Sequence, residues 1–213
     1  METKSEKKII ITIARQYGSG GREIGERVAE LLGLPLYDKQ LITDAASKGE
    51  LNAEVIKSAD EATTNSLLYT LAVGSNVLGS AMHFAYKMPL NDKLFLLQSE
   101  VIKEYAKKGS CVIIGRCADY VLRDESNVLR LFIYGDLDHR QERIKERHPE
   151  VKPSQVIDVI NKTDKRRASY YNFYTGNKWG RYDNYDMAIN SSTLGIEGTA
   201  RLIYACATKL LEN

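Results

Sequence analysis

The chain has 213 residues, a length that suits one domain with room for a small inserted subdomain. Its formal net charge of +2 gives no reason to expect a nucleic-acid or membrane partner. Cys111, Cys117 and Cys206 lack the spacing of a metal site, and no apolar run is long enough to span a membrane. The charged N-terminus has no signal-peptide core. We therefore expect a cytoplasmic protein with reduced thiols.

The first predicted element is a strand of β-branched residues, Ile9 to Ile13. It leads into a cluster of three glycines, Gly18, Gly20 and Gly21, and a helix is predicted over residues 21–32. Glycines allow sharp turns and leave backbone N–H groups uncovered. The helix N-terminus adds unpaired donors and the positive end of a dipole. A strand, a glycine loop and a helix in this order predict a phosphate-binding loop.

The loop departs from the standard pattern G-x-x-x-x-G-K-[ST]. One register places Arg15 at the first glycine, Gly20 at the second and Gly21 at the lysine. The other register places Gly21 at the second glycine, Arg22 at the lysine and Glu23 at the Ser/Thr. We prefer the second, because it leaves a cation to hold phosphate with a planar fork. Glu23 would then contact Mg²⁺ or cap the helix, and a glycine turn without a ligand is the alternative interpretation.

The rest of the chain alternates helical patterns with apolar strands. An extended segment at 34–37 precedes a helix beginning at Asp38, and residues 50–90 show only broken helical patterns. A further helix, capped by Asn91 or Asp92, ends at Gly109. Later strands are predicted at 110–115, 128–134 and 185–190, and later helices at 138–147, 151–169 and 196–211. This alternation predicts an α/β fold whose parallel sheet is covered on both faces.

Ligands of such folds bind at the carboxyl ends of the strands, so the polar residues there are the first candidates. Arg15 and Arg22 follow the first strand, and Arg116 follows the strand at 110–115. The Gly-Arg pair at 115–116 would direct a cation into the crevice, and a structural salt bridge is the alternative. The other candidates after strand ends are Asp119, Gly135, Asp136, Asp138, Asn190, Ser191 and Ser192.

Three arginines, Arg140, Arg143 and Arg147, form one stripe on the charged helix at 138–147. The stripe suits a lid that closes over a triphosphate, although interleaved glutamates also suit a solvated face. Asp164 and Arg167 share one face near the end of the helix predicted at 151–169.

Residues 170–185 are dense in aromatic side chains, glycine and asparagine. A loop that stacks on a base is one interpretation, and a loop packed on the core is another. Arginines between the tyrosines would also suit single-stranded nucleic acid, which the net charge makes less favourable.

With these motifs in view, the chain resembles the cytidylate kinase-like family of P-loop nucleoside monophosphate kinases. The matching segments are 14–24 (ARQYGSGGREI), 37–42 (YDKQLI), 114–119 (IGRCAD), 166–171 (RRASYY), 175–180 (TGNKWG) and 185–192 (YDMAINSS). The resemblance implies a three-layer P-loop kinase fold with a parallel sheet flanked by helices. It implies a core over about 8–48 and 93–213, a helical monophosphate-binding insert over about 49–92, and a lid over about 138–168.

The resemblance also implies roles for individual residues. The donor phosphates would be held by the glycine loop with Arg15, that is by Gly18, Ser19, Gly20, Gly21, Arg22 and Glu23. Asp38 would lie near the acceptor nucleotide, and Arg116 would contact its phosphate. Asp164 and Arg167 would read cytosine and phosphate, and residues 190–192 would lie near the donor base. The residues assigned to catalysis are Arg22, Arg116, Arg143, Arg147, Asp164 and Arg167. Of these, Arg22, Arg116, Arg143 and Arg167 would neutralise charge on the transferring group.

The implied activity is ATP-dependent phosphoryl transfer with Mg²⁺ to a nucleoside monophosphate, CMP or dCMP above all, or to a related small acceptor. The partners would be the nucleotide and this acceptor, without nucleic acid or membrane. The P-loop lysine and the Ser/Thr are absent, which favours a nucleotide-binding sensor or degenerate kinase as the alternative. An interaction domain that uses the tyrosine-rich block is a third possibility. The acceptor, the metal ligands and the oligomeric state stay open.

Overall fold

The computed structural model describes residues 7–38, 40–49 and 90–212. The chain divides into two compact units, one of residues 1–38 and 103–213 and the other of residues 39–102. The helical insert expected over about 49–92 lies almost wholly outside the described residues and stays a prediction.

A parallel sheet of five strands forms the centre of the larger unit. Its order is β2-β3-β1-β4-β5, and every paired neighbour runs parallel. The strands are β1 (Ile10–Arg15), β2 (Leu36–Tyr37), β3 (Cys111–Ile114), β4 (Val128–Tyr134) and β5 (Met187–Asn190). These runs are rich in β-branched residues, as expected of strands with both faces covered. The predicted parallel α/β sheet is confirmed.

The helices of the described residues are α1 (Gly21–Leu32), α2 (Gln40–Lys48), α3 (Leu90–Lys108), α4 (Ala118–Val121), α5 (Leu137–Arg147), α6 (Val156–Thr175) and α7 (Ser191–Glu212). The predicted bounds of α1 are confirmed, and α4 was not predicted. Asn91 and Asp92 lie inside α3, so the prediction that either one caps it is wrong. A 3₁₀ turn over Pro153–Gln155 precedes α6, which continues past Ser169 through the first tyrosines of the aromatic block.

The main core lies between the sheet and the pair α1 and α7. Ile13 of β1 packs in one buried cluster with Ile24 and Val28 of α1 and Ile203 of α7. The helical spacing of Ile24 and Val28 puts both on the face of α1 that meets the sheet. Each such side chain contributes about 1.5–3 kcal/mol when fully buried. This packing fixes the start of α1, and so the glycine loop, at the carboxyl edge of the sheet.

The tyrosine-rich block is anchored on the far strands of the sheet. The Phe132 ring meets Trp179 edge-on at 5.2 Å between centroids and Tyr185 at 5.1 Å. The hydroxyl of buried Tyr171 donates a 2.7 Å hydrogen bond to Asp119, a carboxylate that is also buried. Burial raises the pKa of Asp119, and the bond from Tyr171 opposes that rise. Core packing therefore accounts for Tyr171, Trp179 and Tyr185 of the block.

Tyr171→Phe removes the hydroxyl that donates to Asp119 and changes little else. Because a buried carboxyl group then loses a partner, we expect the free energy of unfolding to fall by about 1–3 kcal/mol. Urea denaturation measures the change, and Tyr182→Phe is the control because that side chain is 78% exposed. Equal stabilities for the two variants would show that the bond contributes nothing.

Candidate phosphate-binding site

The glycine loop connects β1 to α1 and adopts the left-handed conformation at two positions. Gly18 has φ +81° and Gly20 has φ +75°, and Gly20 is the N-cap of α1, so Gly21 is the first helical residue. A loop that ends at Gly20 fits the register with Gly20 at the second glycine and Gly21 at the lysine. The register we preferred from the sequence does not fit, because the left-handed turn ends one residue earlier than it requires.

Arg22 lies on the first turn of α1 and pairs with two carboxylates. Its Nε is 3.1 Å from Glu26 Oε1 and 3.2 Å from Asp38 Oδ2. The side chain is half exposed, whereas Asp38 is largely buried. The structure therefore brings two predicted site residues, Arg22 and Asp38, into direct contact.

The peptide of Tyr17 is held on both sides by side chains from α5 and α6. Asp164 Oδ1 accepts a 2.7 Å hydrogen bond from Tyr17 N, and Arg140 Nε donates a 2.7 Å bond to Tyr17 O. Arg140 also pairs with Asp164 Oδ2, and Arg140 is only 6% exposed. Both carboxylate oxygens of Asp164 thus have partners in the protein, in a triangle that fixes the loop. This contact places Asp164 at the loop, whereas cytosine reading by Asp164 stays a prediction.

Arg167, one turn beyond Asp164 on α6, reaches the preceding part of the same loop. Its Nη1 donates a 2.9 Å bond to Arg15 O, and its guanidinium lies 5.6 Å from the centre of the Tyr17 ring. Burial lowers the pKa of Arg167, and the Asp164 carboxylate opposes that shift. The three-residue step between Asp164 and Arg167 therefore delivers both side chains to one stretch of backbone.

The arginines of the expected lid also contact the glycine-loop helix. Arg143 Nη2 lies 2.8 Å from Glu23 Oε2, and Arg147 pairs with the other oxygen, Oε1. Glu23 is in the first turn of α1, where the helix dipole stabilises a carboxylate. Arg140, Arg143 and Arg147 thus all face the loop, and a fully solvated stripe is wrong.

Arg116 belongs to a strained turn after β3. Gly115, Arg116 and Cys117 have φ values of +70°, +57° and +54°, so three successive residues are left-handed. For non-glycine residues such a conformation costs roughly 1–3 kcal/mol each, and it clusters at functional sites. The turn presents Arg116 at the carboxyl edge of the sheet, beside the end of β1.

Cations outnumber carboxylates where β1, β3 and α6 meet. The pKa of Arg15 is lowered to about 9, first by burial and then by the positive charge of Arg167, with smaller effects of Arg116 and Arg22. Asp38 opposes this lowering. An excess of fixed positive charge in a partly enclosed site stabilises a bound anion.

A pocket of about 260 Å³ adjoins the loop on its other side. It is lined by loop residues Gly18 and Ser19, by α5, and by the start of α7, where Ser191 and Ser192 stand. Ser191 Oγ is 2.7 Å from Ser19 O, so the start of α7 is tied to the loop. A Cβ at Gly20 would overlap the Ile196 side chain, which accounts for a glycine at this place. The pocket therefore lies beside the segment implied to hold the donor base.

The described residues contain no group of three or more His, Cys, Asp or Glu side chains that could hold a metal ion. Within the same ranges, no helix is long and apolar enough to cross a membrane.

The sequence did not predict the buried role of Arg140 or the part played by the Tyr17 backbone. Arg140 is the first arginine of a charged stripe, and α5 has one buried aliphatic residue, Ile144, four positions later. That i,i+4 relation marks Arg140 as lying on the inward face and was the available signal. The acceptor of Tyr17 N is 147 residues away, so no local pattern indicates it.

Comparisons with known proteins agree with this geometry. The family model of the cytidylate kinase-like family matches residues 10–193. An uncharacterized protein from Eubacterium ventriosum ATCC 27560 is similar at 28% identity and a TM-score of 0.68, over 94% of this chain and 99% of that one. The comparison with curated proteins found no match.

Two solved kinases share the fold at lower identity. A shikimate kinase from Bacteroides thetaiotaomicron is 15% identical with a TM-score of 0.53, over 97% of this chain and 100% of that one. A gluconokinase from Sinorhizobium meliloti 1021 is 16% identical with a TM-score of 0.52, over 97% and 95%. The P-loop kinase fold expected from the sequence is confirmed.

Asp164→Asn tests the triangle around Tyr17. The substitution leaves the Arg140 charge buried without its carboxylate, so we expect the free energy of unfolding to fall by about 3–5 kcal/mol. Glu212→Gln is the control, because it breaks an exposed pair with Lys209 and should change stability by less than about 1 kcal/mol. Guanidinium denaturation measures both variants. A loss for Asp164→Asn no larger than the control's would contradict the role of the triangle.

Proposed function

Because this chain belongs to the cytidylate kinase-like family, we propose that it transfers the γ-phosphoryl group of ATP to a nucleoside monophosphate. CMP and dCMP are the first candidates for the acceptor, and a related small acceptor is next. The observation that carries the proposal is the meeting of Arg15, Arg116 and Arg167 beside the glycine loop, at the carboxyl edge of the sheet. A protein with this fold and with its thiols in the reduced state would act in the cytoplasm.

The donor would bind along the loop and α5. The N–H groups at the start of α1, which have no partner within the helix, suit its phosphates. The adjoining pocket suits its base, with Ser191 and Ser192 at the wall. Nucleotide phosphates would compete with Glu23 for Arg143 and Arg147, so these arginines would exchange a carboxylate for the triphosphate.

The acceptor would bind at the β3 edge, with its phosphate at Arg116 and Arg167. An oxygen of that phosphate would attack the γ-phosphorus, and the bond from this phosphorus to the β–γ bridging oxygen would break. The electron pair leaves with ADP, and an ionised phosphate acceptor has no proton to give up, so no general base is required. The protein's contribution is positioning and charge neutralisation, which are the main sources of catalysis in phosphoryl transfer.

The chain fits the phosphates better than it fits a protein-bound metal. Mg²⁺ bound to the donor would neutralise charge on its β- and γ-oxygens. Glu23 is the acidic residue on the loop helix's first turn, and both of its oxygens are paired with arginines. Because this ion is commonly held by substrate phosphates and water with few side chains, Glu23, released when these arginines turn to the triphosphate, would be the residue to hold it, directly or through water.

A nucleotide-binding protein without phosphotransfer is the second candidate. It is favoured by the absence of a side chain at Gly21, where the standard loop carries its lysine. In this register Arg22 stands where the hydroxyl of Ser or Thr would contact Mg²⁺. This candidate shares the donor site with the first and differs only in lacking turnover.

The proposed function is tested by following ADP formation from MgATP with a panel of acceptors. The panel contains CMP, dCMP, UMP, AMP, GMP, shikimate and gluconate, and thermal shifts are measured with the same ligands. Turnover with a nucleoside monophosphate is the expected result. A thermal shift with ATP and no turnover with any acceptor would favour the second candidate, and no response to any nucleotide would contradict both.

Arg116→Ala removes a guanidinium expected to neutralise the transferring group. We expect kcat to fall by about a hundred- to a thousand-fold, by analogy with other electrostatic stabilisers of transition states. Arg201→Ala is the matched control, because it removes an equal charge from the exposed face of α7. Coupled ADP release measures both, and an unchanged kcat for Arg116→Ala would contradict the assigned role.

A further inference from the structure

The side chain of Arg15 occupies the volume above Gly21. A Cβ added at Gly21 would lie 2.5 Å from Arg15 Cβ and 2.9 Å from Arg15 Cγ. Contacts this close essentially never occur between real side chains, so residue 21 can carry no side chain while arginine, or any residue other than glycine, stands at 15. The glycine at the lysine position and the arginine at the first-glycine position are therefore sterically linked.

The guanidinium of Arg15 reaches the turn that presents Arg116. A Cβ at Gly115 would overlap Arg15 Nη1, so the guanidinium lies directly on the Gly115 backbone. Gly115 is the first of the three left-handed residues of that turn. Arg15 thus spans from the start of α1 to the end of β3, which is the gap between the proposed donor and acceptor phosphates.

The guanidinium of Arg15 has no hydrogen-bond partner and no ion pair within 4 Å among the described residues, 7–38, 40–49 and 90–212. The charged groups that affect it most are the guanidinium groups of Arg167, Arg116 and Arg22 and the carboxylate of Asp38. Burial and this repulsion both lower the pKa of Arg15. A partly buried cation among like charges opposes folding unless an anion binds to it.

We propose that Arg15 supplies the phosphate-binding cation that a lysine supplies in the standard loop. The two departures from the pattern, arginine at 15 and glycine at 21, are then one compensated exchange that moves the cation from the helix to the end of β1. The guanidinium holds the transferring phosphate between the loop and Arg116. This inference rests on the proposed function and identifies the residue that binds phosphate in place of the lysine.

A swap of the two positions tests the exchange. Arg15→Gly should lower kcat/KM with ATP by about a hundred- to a thousand-fold, as loss of an electrostatic clamp does. Gly21→Lys alone should be as impaired, because its Cβ meets the Arg15 stem. The double variant, Arg15→Gly with Gly21→Lys, restores the standard pattern and should recover at least about tenfold over Arg15→Gly.

Arg15→Met gives a second readout. It depends neither on enzymatic turnover nor on correct folding of the double variant. In the absence of ligand it should raise Tm, because a poorly paired buried charge is replaced by an apolar chain of similar length. It should also abolish the rise in Tm that we expect inorganic pyrophosphate to give the wild type. Arg27→Met removes an exposed charge from α1 and should leave activity and the pyrophosphate effect unchanged.

The outcomes separate this inference from the proposed function. If the wild type turns over and Arg15→Gly or Arg15→Met is as active as the wild type, the inference is overturned and the proposed function stands. A lower Tm for Arg15→Met with an undiminished pyrophosphate effect would show a merely structural arginine and would also overturn it. A wild type that binds neither ATP nor pyrophosphate would overturn both.

Discussion

The carboxylate of Asp164 is the contact on which the geometry of the glycine loop depends. It holds the Tyr17 peptide and the Arg140 guanidinium at once, so β1, α5 and α6 meet at one point. A largely buried ion pair stabilises a fold only when the remaining donors and acceptors are satisfied. The bond from Arg140 Nε to Tyr17 O meets that condition. The loop backbone is therefore fixed by side chains of α5 and α6.

Around this fixed loop, the site concentrates arginines instead of a single lysine. Arg15 and Arg116 approach each other from the ends of β1 and β3, and Arg143 and Arg147 approach from α5. The planar forks of guanidinium groups match phosphate oxygens in pairs, whereas a lysine ammonium acts as a point charge. Their mutual repulsion has a cost, seen in the lowered pKa of Arg15, and a bound polyphosphate would offset it. The clustered positive charge therefore both attracts anions and destabilises the protein when no anion is bound.

Much of the fold follows from local pattern, and much of the site does not. The bounds of α1 and β4 and the parallel sheet could be predicted because their apolar spacing is regular and their ends carry glycine. The short helix α4 was missed, because it follows a left-handed turn at Arg116 and Cys117 that propensities do not favour. The role of Arg140 depends on a partner in another helix. The correct loop register required the conformation of Gly20, which residue types alone left open between two alignments.

We propose that the arginine-rich edge beside the glycine loop binds the phosphates of a nucleotide. Isothermal titration of the intact protein with inorganic tripolyphosphate, at low and at raised salt, tests it without assuming a base or an acceptor. We expect one binding site per chain, affinity that weakens as salt rises, and displacement by ATP but not by adenosine. An absence of binding at low salt, or binding that adenosine displaces and ATP does not, would contradict it.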